Sequence, residues 1–370
     1  MKNSTPQKIG FYKNIHIFNR ETIYSNEYIE FINRNFKDSC NHLFVFRIKD
    51  TDRKGKYSEE IKSQIWFVNN PFSLLIKLLP LLLRSERIFM HFLPIGRSLI
   101  FWYLVKQYLL RKVIWVQWGH DLYFYYKDKN VKEKFFEWLR RKIIKRIAYI
   151  ATIIWEDYQL TRKLYTTQAL YYYTFYPNPV DYNSLTFSYE SKDSNERILN
   201  VMIGNSANKT NRHKEVLYSL NRYHNGSCYL FCPLSYGASY SEIKRIISYG
   251  KDLFDGRFYY FTKRLSPSHY GTFLSQMDVA IMNHLRQAGL GTILSLLYLG
   301  KKVFVRDDIT SFGFLKRLEL KISSTNKLLS GQVDNLDLLS YEDAINNHRV
   351  ILNEFSEKRC KELWQKLFNI

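Results

Sequence analysis

Seven residues, Arg286-Gln287-Ala288-Gly289-Leu290-Gly291-Thr292, join one apolar run (278–283) to another (292–299). Glycine lets backbone approach a ligand closely, and the first N–H groups of a helix lack partners within it. A glycine pair at a helix start can therefore hold an anion. Arg286 adds a planar, permanently charged fork suited to phosphate or carboxylate. The same residues also describe an ordinary tight turn into a helix, and alone they do not separate the two readings.

Three further constellations close strand-like runs. Gly204-Asn205-Ser206, continuing through Asn211 to His213, offers close approach and short polar groups suited to a nucleotide diphosphate or a sugar. An N-capped turn reads the same way, and the spacing is neither a Walker motif nor a three-glycine dinucleotide fingerprint. Trp118-Gly119-His120-Asp121-Leu122-Tyr123 ends the most apolar run of the first half. Asp121 there could act as a general base or hold a sugar hydroxyl. His91, followed by Pro94 and Gly96, could face the same cleft, although a lone histidine is more often structural. No metal site stands out. A metal-free reaction at a diphosphate would rely on cations and helix N-termini to neutralise the leaving group.

The elements that must position these residues alternate between strand and helix. In the first half, 15–18, 42–46, 65–68, 87–92, 112–118 and 149–155 read as strands. Segments 27–36, 72–83, 98–110 and 131–147 read as helices. A second series begins at 198, with strands at 227–233, 257–261, 278–283 and 302–306. Its helices start near Asn211 and lie at 240–250, 266–277 and 292–299, and the tail 341–368 reads as amphipathic helix. Such alternation predicts an open α/β sheet. Segment 176–196, with Pro177, Pro179 and a polar run, reads as a linker. The expected domains are 1–185 and 196–345, with 346–370 a C-terminal helix that packs back on the first domain.

At 370 residues with 46% hydrophobic content and a mean hydropathy of −0.33, the chain is folded and long enough for two cores. Its net charge of +21 calls for an anionic partner, whether nucleic acid, membrane surface or phosphorylated substrate. Between Lys106 and Arg146 there are twelve Lys/Arg against four Asp/Glu, and Arg140-Arg141-Lys142-Ile143-Ile144-Lys145-Arg146 has the pattern of a basic amphipathic helix. Membrane-surface binding and a merely solvated face both fit it. No helix-turn-helix, zinc-finger or RRM pattern supports nucleic acid. Cys40, Cys228, Cys232 and Cys360 are too few and scattered for a disulfide framework. No signal peptide is expected, and the apolar segments 72–83 and 98–105 are too short to span a bilayer.

Four segments taken in order, with His91, resemble the enterobacterial 4-acetamido-4,6-dideoxygalactosyltransferase family, the TDP-Fuc4NAc:lipid II transferases, also called 4-alpha-L-fucosyltransferases. They are Trp118-Gly119-x-Asp121-Leu122-Tyr123, Gly204-Asn205-Ser206 with Asn211 and His213, Pro233-x-x-Tyr236-Gly237, and Arg286-Gln287-x-Gly289-x-Gly291-Thr292. The resemblance implies a metal-independent GT-B glycosyltransferase, an α/β protein with two Rossmann-like domains facing a cleft. It would move a deoxyamino sugar from a dTDP-sugar to an undecaprenyl-diphosphate-linked glycan at the cytoplasmic face of the bacterial inner membrane. Gly204, Asn205, Ser206, Tyr236, Arg286, Gln287, Gly289, Gly291 and Thr292 would line the donor side. His91, Trp118, Gly119, Asp121 and Tyr123 would face the acceptor, with Asp121 and then His91 as candidates for the base. The chain departs from the family pattern at His120, where a small residue is usual, and in its basicity and tyrosine content. Common antigen, O-antigen and capsule pathways all remain open, as do another sugar-nucleotide transferase and a non-enzymatic basic α/β binding protein.

Overall fold

A computed structural model describes residues 11–47, 63–68, 78–105, 107–127, 129–178, 180, 182, 185–187, 189, 198–223, 228–332 and 336–370. It divides into two units: Met1–Pro177 with Glu357–Ile370, and Asn178–Ser356.

Unit 1 is built on seven strands: β1 (Asn14–Phe18), β2 (His42–Arg47), β3 (Gln64–Val68), β4 (Arg87–His91), β5 (Val113–Val116), β6 (Tyr149–Thr152) and β7 (Leu170–Tyr173). All neighbours pair in parallel, in the order β3-β2-β1-β4-β5-β6-β7. Unit 2 has six: β8 (Leu199–Ile203), β9 (Cys228–Pro233), β10 (Phe258–Phe261), β11 (Val279–Met282), β12 (Lys302–Val305) and β13 (Ser323–Ser324). Their order, β10-β9-β8-β11-β12-β13, again parallel, repeats the plan. In both sheets the winding direction reverses beside the first strand, between β1 and β4 and between β8 and β11. At such a switch point the loops leaving two neighbouring strands part on opposite faces, opening a crevice above the carboxyl ends. The expected α/β class with two Rossmann-like sheets is what the chain forms.

Because side chains alternate across a strand, the two faces of the unit 1 sheet differ. Ile15, Ile17, Leu43, Val45, Ile88, Met90 and Trp115 join one buried cluster. The opposite face carries His16, Phe18, Phe44, Phe89 and His91, whose rings stack on one another: His16 lies 4.6 Å from both Phe44 and Phe89, and Phe18 lies 4.0 Å from His91. Tyr28 and Trp364, 4.6 Å apart, cover that face from the helices Ile23–Asn35 and Glu357–Phe368. Some of the high aromatic content is thus a packed layer.

Several expectations are corrected. The tail is two helices, Tyr341–Glu354 in unit 2 and Glu357–Phe368 in unit 1, broken where Phe355 caps the first by bonding Ile351 O. The strand expected over 149–155 stops at Thr152, whose hydroxyl accepts from Ile154 N, and Trp155 opens a helix to Tyr165. The expected linker divides at its second residue: Tyr176 and Pro177 belong to unit 1, and the described residues from Asn178 on belong to unit 2, where Asn178 Nδ2 reaches Ser295 Oγ at 3.2 Å and Tyr182 stacks on Tyr298 at 4.8 Å. The first half of the apolar segment 72–83 lies outside the described residues; its second half enters the helix Leu79–Arg84. Among the described residues no helix is long and apolar enough to cross a membrane.

Candidate functional site

In unit 2 the candidate donor residues gather at the switch point. Gly204 follows β8 with φ +61°, and a Cβ there would come within 2.4 Å of Asn211 Oδ1, so only glycine fits. Asn211 in turn organises the loop, accepting from Asn205 N at 3.3 Å and donating to Ser206 Oγ at 3.3 Å. The loop after β9 is tied in through Ala207 N, which donates to Tyr236 O at 2.8 Å. Asn205 then links three loops: its Oδ1 lies 3.0 Å from His284 Nε2, and its Nδ2 donates to Tyr236 Oη at 3.2 Å.

His284, two residues beyond β11, was not among the residues singled out from sequence. Its position at a strand end, the same argument that selected His91, is the signal that would have found it. Burial, reinforced by the positive charge of Arg286 and the nearby His213, pushes it down to about 3. A neutral ring that donates from Nε2 leaves Nδ1 as an acceptor, and this buried atom has no hydrogen-bond partner among the described residues. Burial likewise lowers His213 to about 4.

Gly289 starts the helix Leu290–Tyr298 with φ +64°, and its missing side chain is what admits the others: a Cβ would stand 3.1 Å from Asn205 and from the His284 ring. No side chain caps this helix, so its first N–H groups remain available at the switch point. Arg286 Nη1 folds back onto Gln287 O at 2.9 Å. Gly291 O accepts from Ser295 Oγ at 2.9 Å, and Thr292 Oγ1 lies 3.1 Å from Tyr270 Oη. Arg264 stands 5.1 Å from the Tyr236 ring, adding a second cation near this end of the sheet. The sequence therefore places Gly204, Asn205, Ser206, Tyr236 and Gly289 side by side, with Arg286, Gln287, Gly291 and Thr292 on the adjoining loop and helix start. Neutral polar groups, glycine backbone, helix N–H groups and arginines together form a surface able to receive a phosphate.

In unit 1, His91 ends β4 and Trp118-Gly119 follows β5. Asp121 is fully buried and both its oxygens are engaged. Oδ2 accepts from Leu93 N at 2.9 Å and Trp115 Nε1 at 2.7 Å, and Oδ1 from Trp118 N at 3.1 Å and Leu122 N at 3.2 Å. Arg140, also buried, donates to Asp121 O at 2.6 Å and Pro94 O at 3.1 Å and pairs with Glu137 at 3.3 Å. It pins the loops after β4 and β5 and so does not belong to the exposed basic face expected of its helix. Tyr123 turns to Asp157, 3.1 Å away. His91 is buried, neutral through burial, and bonded through Nδ1 to Tyr176 Oη; Trp118 Nε1 donates to the same hydroxyl at 2.9 Å. Phe92, next to His91, takes φ +86°, a strained value for a bulky residue.

Among the described residues no group of three or more His, Cys, Asp and Glu could hold a metal. The sequence does contain one Asp-x-Asp triplet, Asp50-Thr51-Asp52, the short carboxylate pair that can hold a divalent ion against a diphosphate. It lies outside the described residues.

Solved structures share this architecture. A glycosyltransferase from Rickettsia africae ESF-5 superposes with a TM-score of 0.65 at 10% identity, over 97% of this chain and 98% of its own. Anabaena HepE, determined with UDP and glucose, gives 0.65 at 12% identity over 97% and 100%. The sucrose-phosphate synthase of Thermosynechococcus elongatus gives 0.66 at 10% over 96% and 98%. At these identities the likeness establishes the fold, which is GT-B. The family model described as 4-alpha-L-fucosyltransferase, glycosyl transferase group 56, matches residues 83–350, spanning the donor loops of unit 2 and the His91, Trp118 and Asp121 region of unit 1. The chain belongs to that family and is a glycosyltransferase.

Proposed function

We propose that this glycosyltransferase moves a deoxyamino sugar of the 4-acetamido-4,6-dideoxyhexose type from a dTDP-sugar to an undecaprenyl-diphosphate-linked glycan, in common-antigen or O-antigen synthesis. Membership of the 4-alpha-L-fucosyltransferase family supports the reading. The observation that carries the donor half is the His284–Asn205–Tyr236 line beneath the uncapped helix start at Gly289. There the diphosphate would meet helix N–H groups and Arg286, so that negative charge developing on the leaving group falls on groups already oriented. On this account no bound metal is required.

Unit 1 would present the acceptor at His91, Trp118 and Gly119. Asp121, already accepting four hydrogen bonds, would hold the acceptor loops in place rather than take a proton, and His91 would act through the Tyr176 hydroxyl. Attachment to the cytoplasmic membrane face is supported by the helices Ser98–Leu104 and Val131–Ile144. They expose Ile100, Leu104, Phe135 and Trp138. Lys142 lies 5.8 Å from the Trp138 ring and Arg146 lies 5.7 Å from that of Tyr103. Aromatic and basic groups in one patch match the boundary of an anionic bilayer, where rings enter the headgroup layer and cations meet phosphate.

The test is thermal unfolding with saturating dTDP or UDP in EDTA. A bound nucleotide should raise Tm by several degrees, since ligand at about 100 Kd contributes roughly 2.7 kcal/mol. An unchanged Tm would contradict the donor site.

A further inference from the structure

Six side chains of unit 1 form an unbroken hydrogen-bonded line across the aromatic face of its sheet. Asn14 Nδ2 lies 3.2 Å from His42 Nε2, His42 Nδ1 lies 2.9 Å from His16 Nε2, and His16 Nδ1 lies 3.0 Å from His91 Nε2. His91 Nδ1 bonds Tyr176 Oη, where Trp118 Nε1 also arrives. The strand register makes the line diagonal. Asn14 pairs with His42 where the strands begin, and Phe18 pairs with His91 where they end, so the line climbs from the amino edge of the sheet to its carboxyl edge.

The line has a direction. Burial keeps all three imidazoles neutral, with His42 pushed to about 3 and His16 and His91 also well below the usual value. A neutral imidazole donates from one nitrogen and accepts at the other, so fixing one bond fixes every bond. The direction follows from the assigned orientation of the Asn14 amide, which turns its nitrogen to His42, where it can only donate, and leaves its buried Oδ1 with no partner among the described residues. His42 Nε2 therefore accepts, His42 Nδ1–H donates to His16 Nε2, His16 Nδ1–H donates to His91 Nε2, and His91 Nδ1–H donates to Tyr176 Oη. With Trp118 Nε1–H on the same oxygen, both lone pairs of Tyr176 are taken. Its own hydrogen has no place on the line; the residue is half-buried, and burial of its hydroxyl pushes it well above the usual tyrosine range, so it keeps the proton it would donate.

We propose that this line makes Tyr176 an obligate hydrogen-bond donor at the carboxyl edge of the unit 1 sheet, binding a phosphate or amide-carbonyl oxygen of the acceptor. Asn14, His42, His16 and His91 are positioning residues that set its polarity. The proposal rests on the reading of unit 1 as the acceptor side. It assigns His91 a role other than general base, because neither ring nitrogen is left to accept a substrate proton.

The experiment is nitrogen-15 NMR of histidine-labelled wild-type protein from pH 6 to 8, joined to transfer kinetics with detergent-extracted lipid-linked oligosaccharide. All three rings should show the Nδ1–H tautomer throughout. An Nε2–H signature at His91, or an imidazolium at any of the three, overturns the polarity whatever the substrate. Tyr176→Phe should raise the acceptor KM about tenfold with the donor KM unchanged, the effect of one lost hydrogen bond. An unchanged acceptor KM overturns acceptor binding by Tyr176 and leaves the tautomer result to stand by itself. Asn14→Leu, 77 residues before His91 in sequence and at the amino edge of the sheet, should mix the His91 tautomers and raise acceptor KM severalfold. In a Tyr176→Phe background it should add nothing. An equal rise in both backgrounds would mark a merely structural role and overturn the proposal.

Discussion

Asp121 shows how far residue type falls short of role. An acid at a strand end beside a tryptophan suggests a base, yet four N–H groups converge on it and bury it. Replacing it by Asn swaps one acceptor oxygen for a donor facing N–H groups. Asp121→Asn should then destabilise the protein by about 2–3 kcal/mol, lowering the unit 1 transition by roughly 5–10 °C in calorimetry. A base would behave oppositely, with kcat collapsing while Tm stays unchanged. Burial and hydrogen-bond saturation are tertiary properties, so neither could be read from Trp118 to Tyr123 as a string. Arg140 carries the same lesson: it sits in a basic run, but its guanidinium is spent on the carbonyls of Pro94 and Asp121.

At the scale of elements, both glycine loops were legible because a helix start after an apolar strand has a local signature. Gly204, directly after β8, and Gly289, at the helix start, both take the positive φ that glycine supplies. The histidine line was not legible. His16, His42 and His91 are scattered along the sequence and meet only because β2, β1 and β4 lie side by side in parallel, an order that local patterning does not specify. The split of the tail was equally hidden, since an amphipathic pattern continues across Phe355 and Ser356. The helices Ser98–Leu104 and Val131–Ile144 carry their own prediction. Trp138→Glu combined with Phe135→Glu should weaken binding to vesicles containing anionic lipid at least tenfold, given the apolar area lost and the two negative charges added. The Tm gain with dTDP should be unaffected, and equal vesicle binding by wild type and variant in a flotation assay would remove this face from the account.

At the scale of the whole molecule, each unit buries histidines held neutral: His16, His42 and His91 in unit 1, His213 and His284 in unit 2. Their folded values lie below the unfolded value near 6.5, so between the two the unfolded chain binds protons that the folded chain does not. Stability is fully present above pH 6.5 and falls as pH drops toward 3–4. Each such histidine removes about 1.4 kcal/mol per pH unit in that window. Calorimetry from pH 8 to 5 should show both units losing Tm below pH 6.5, and a Tm that is flat or rising down to pH 5 would contradict these buried neutral states.

The central claim concerns the donor. It is tested most directly by incubating radiolabelled dTDP-4-acetamido-4,6-dideoxyhexose and a membrane extract of lipid-linked oligosaccharide with wild type and Gly289→Ala, in EDTA. Wild type should transfer the sugar. Gly289→Ala, whose new methyl would press on Asn205 and His284, should lose at least 100-fold in kcat/KM for the donor, equivalent to about 2.7 kcal/mol. Equal transfer by both proteins would contradict the diphosphate site at the Gly289 helix start, and no transfer by wild type from this donor would contradict the proposed sugar.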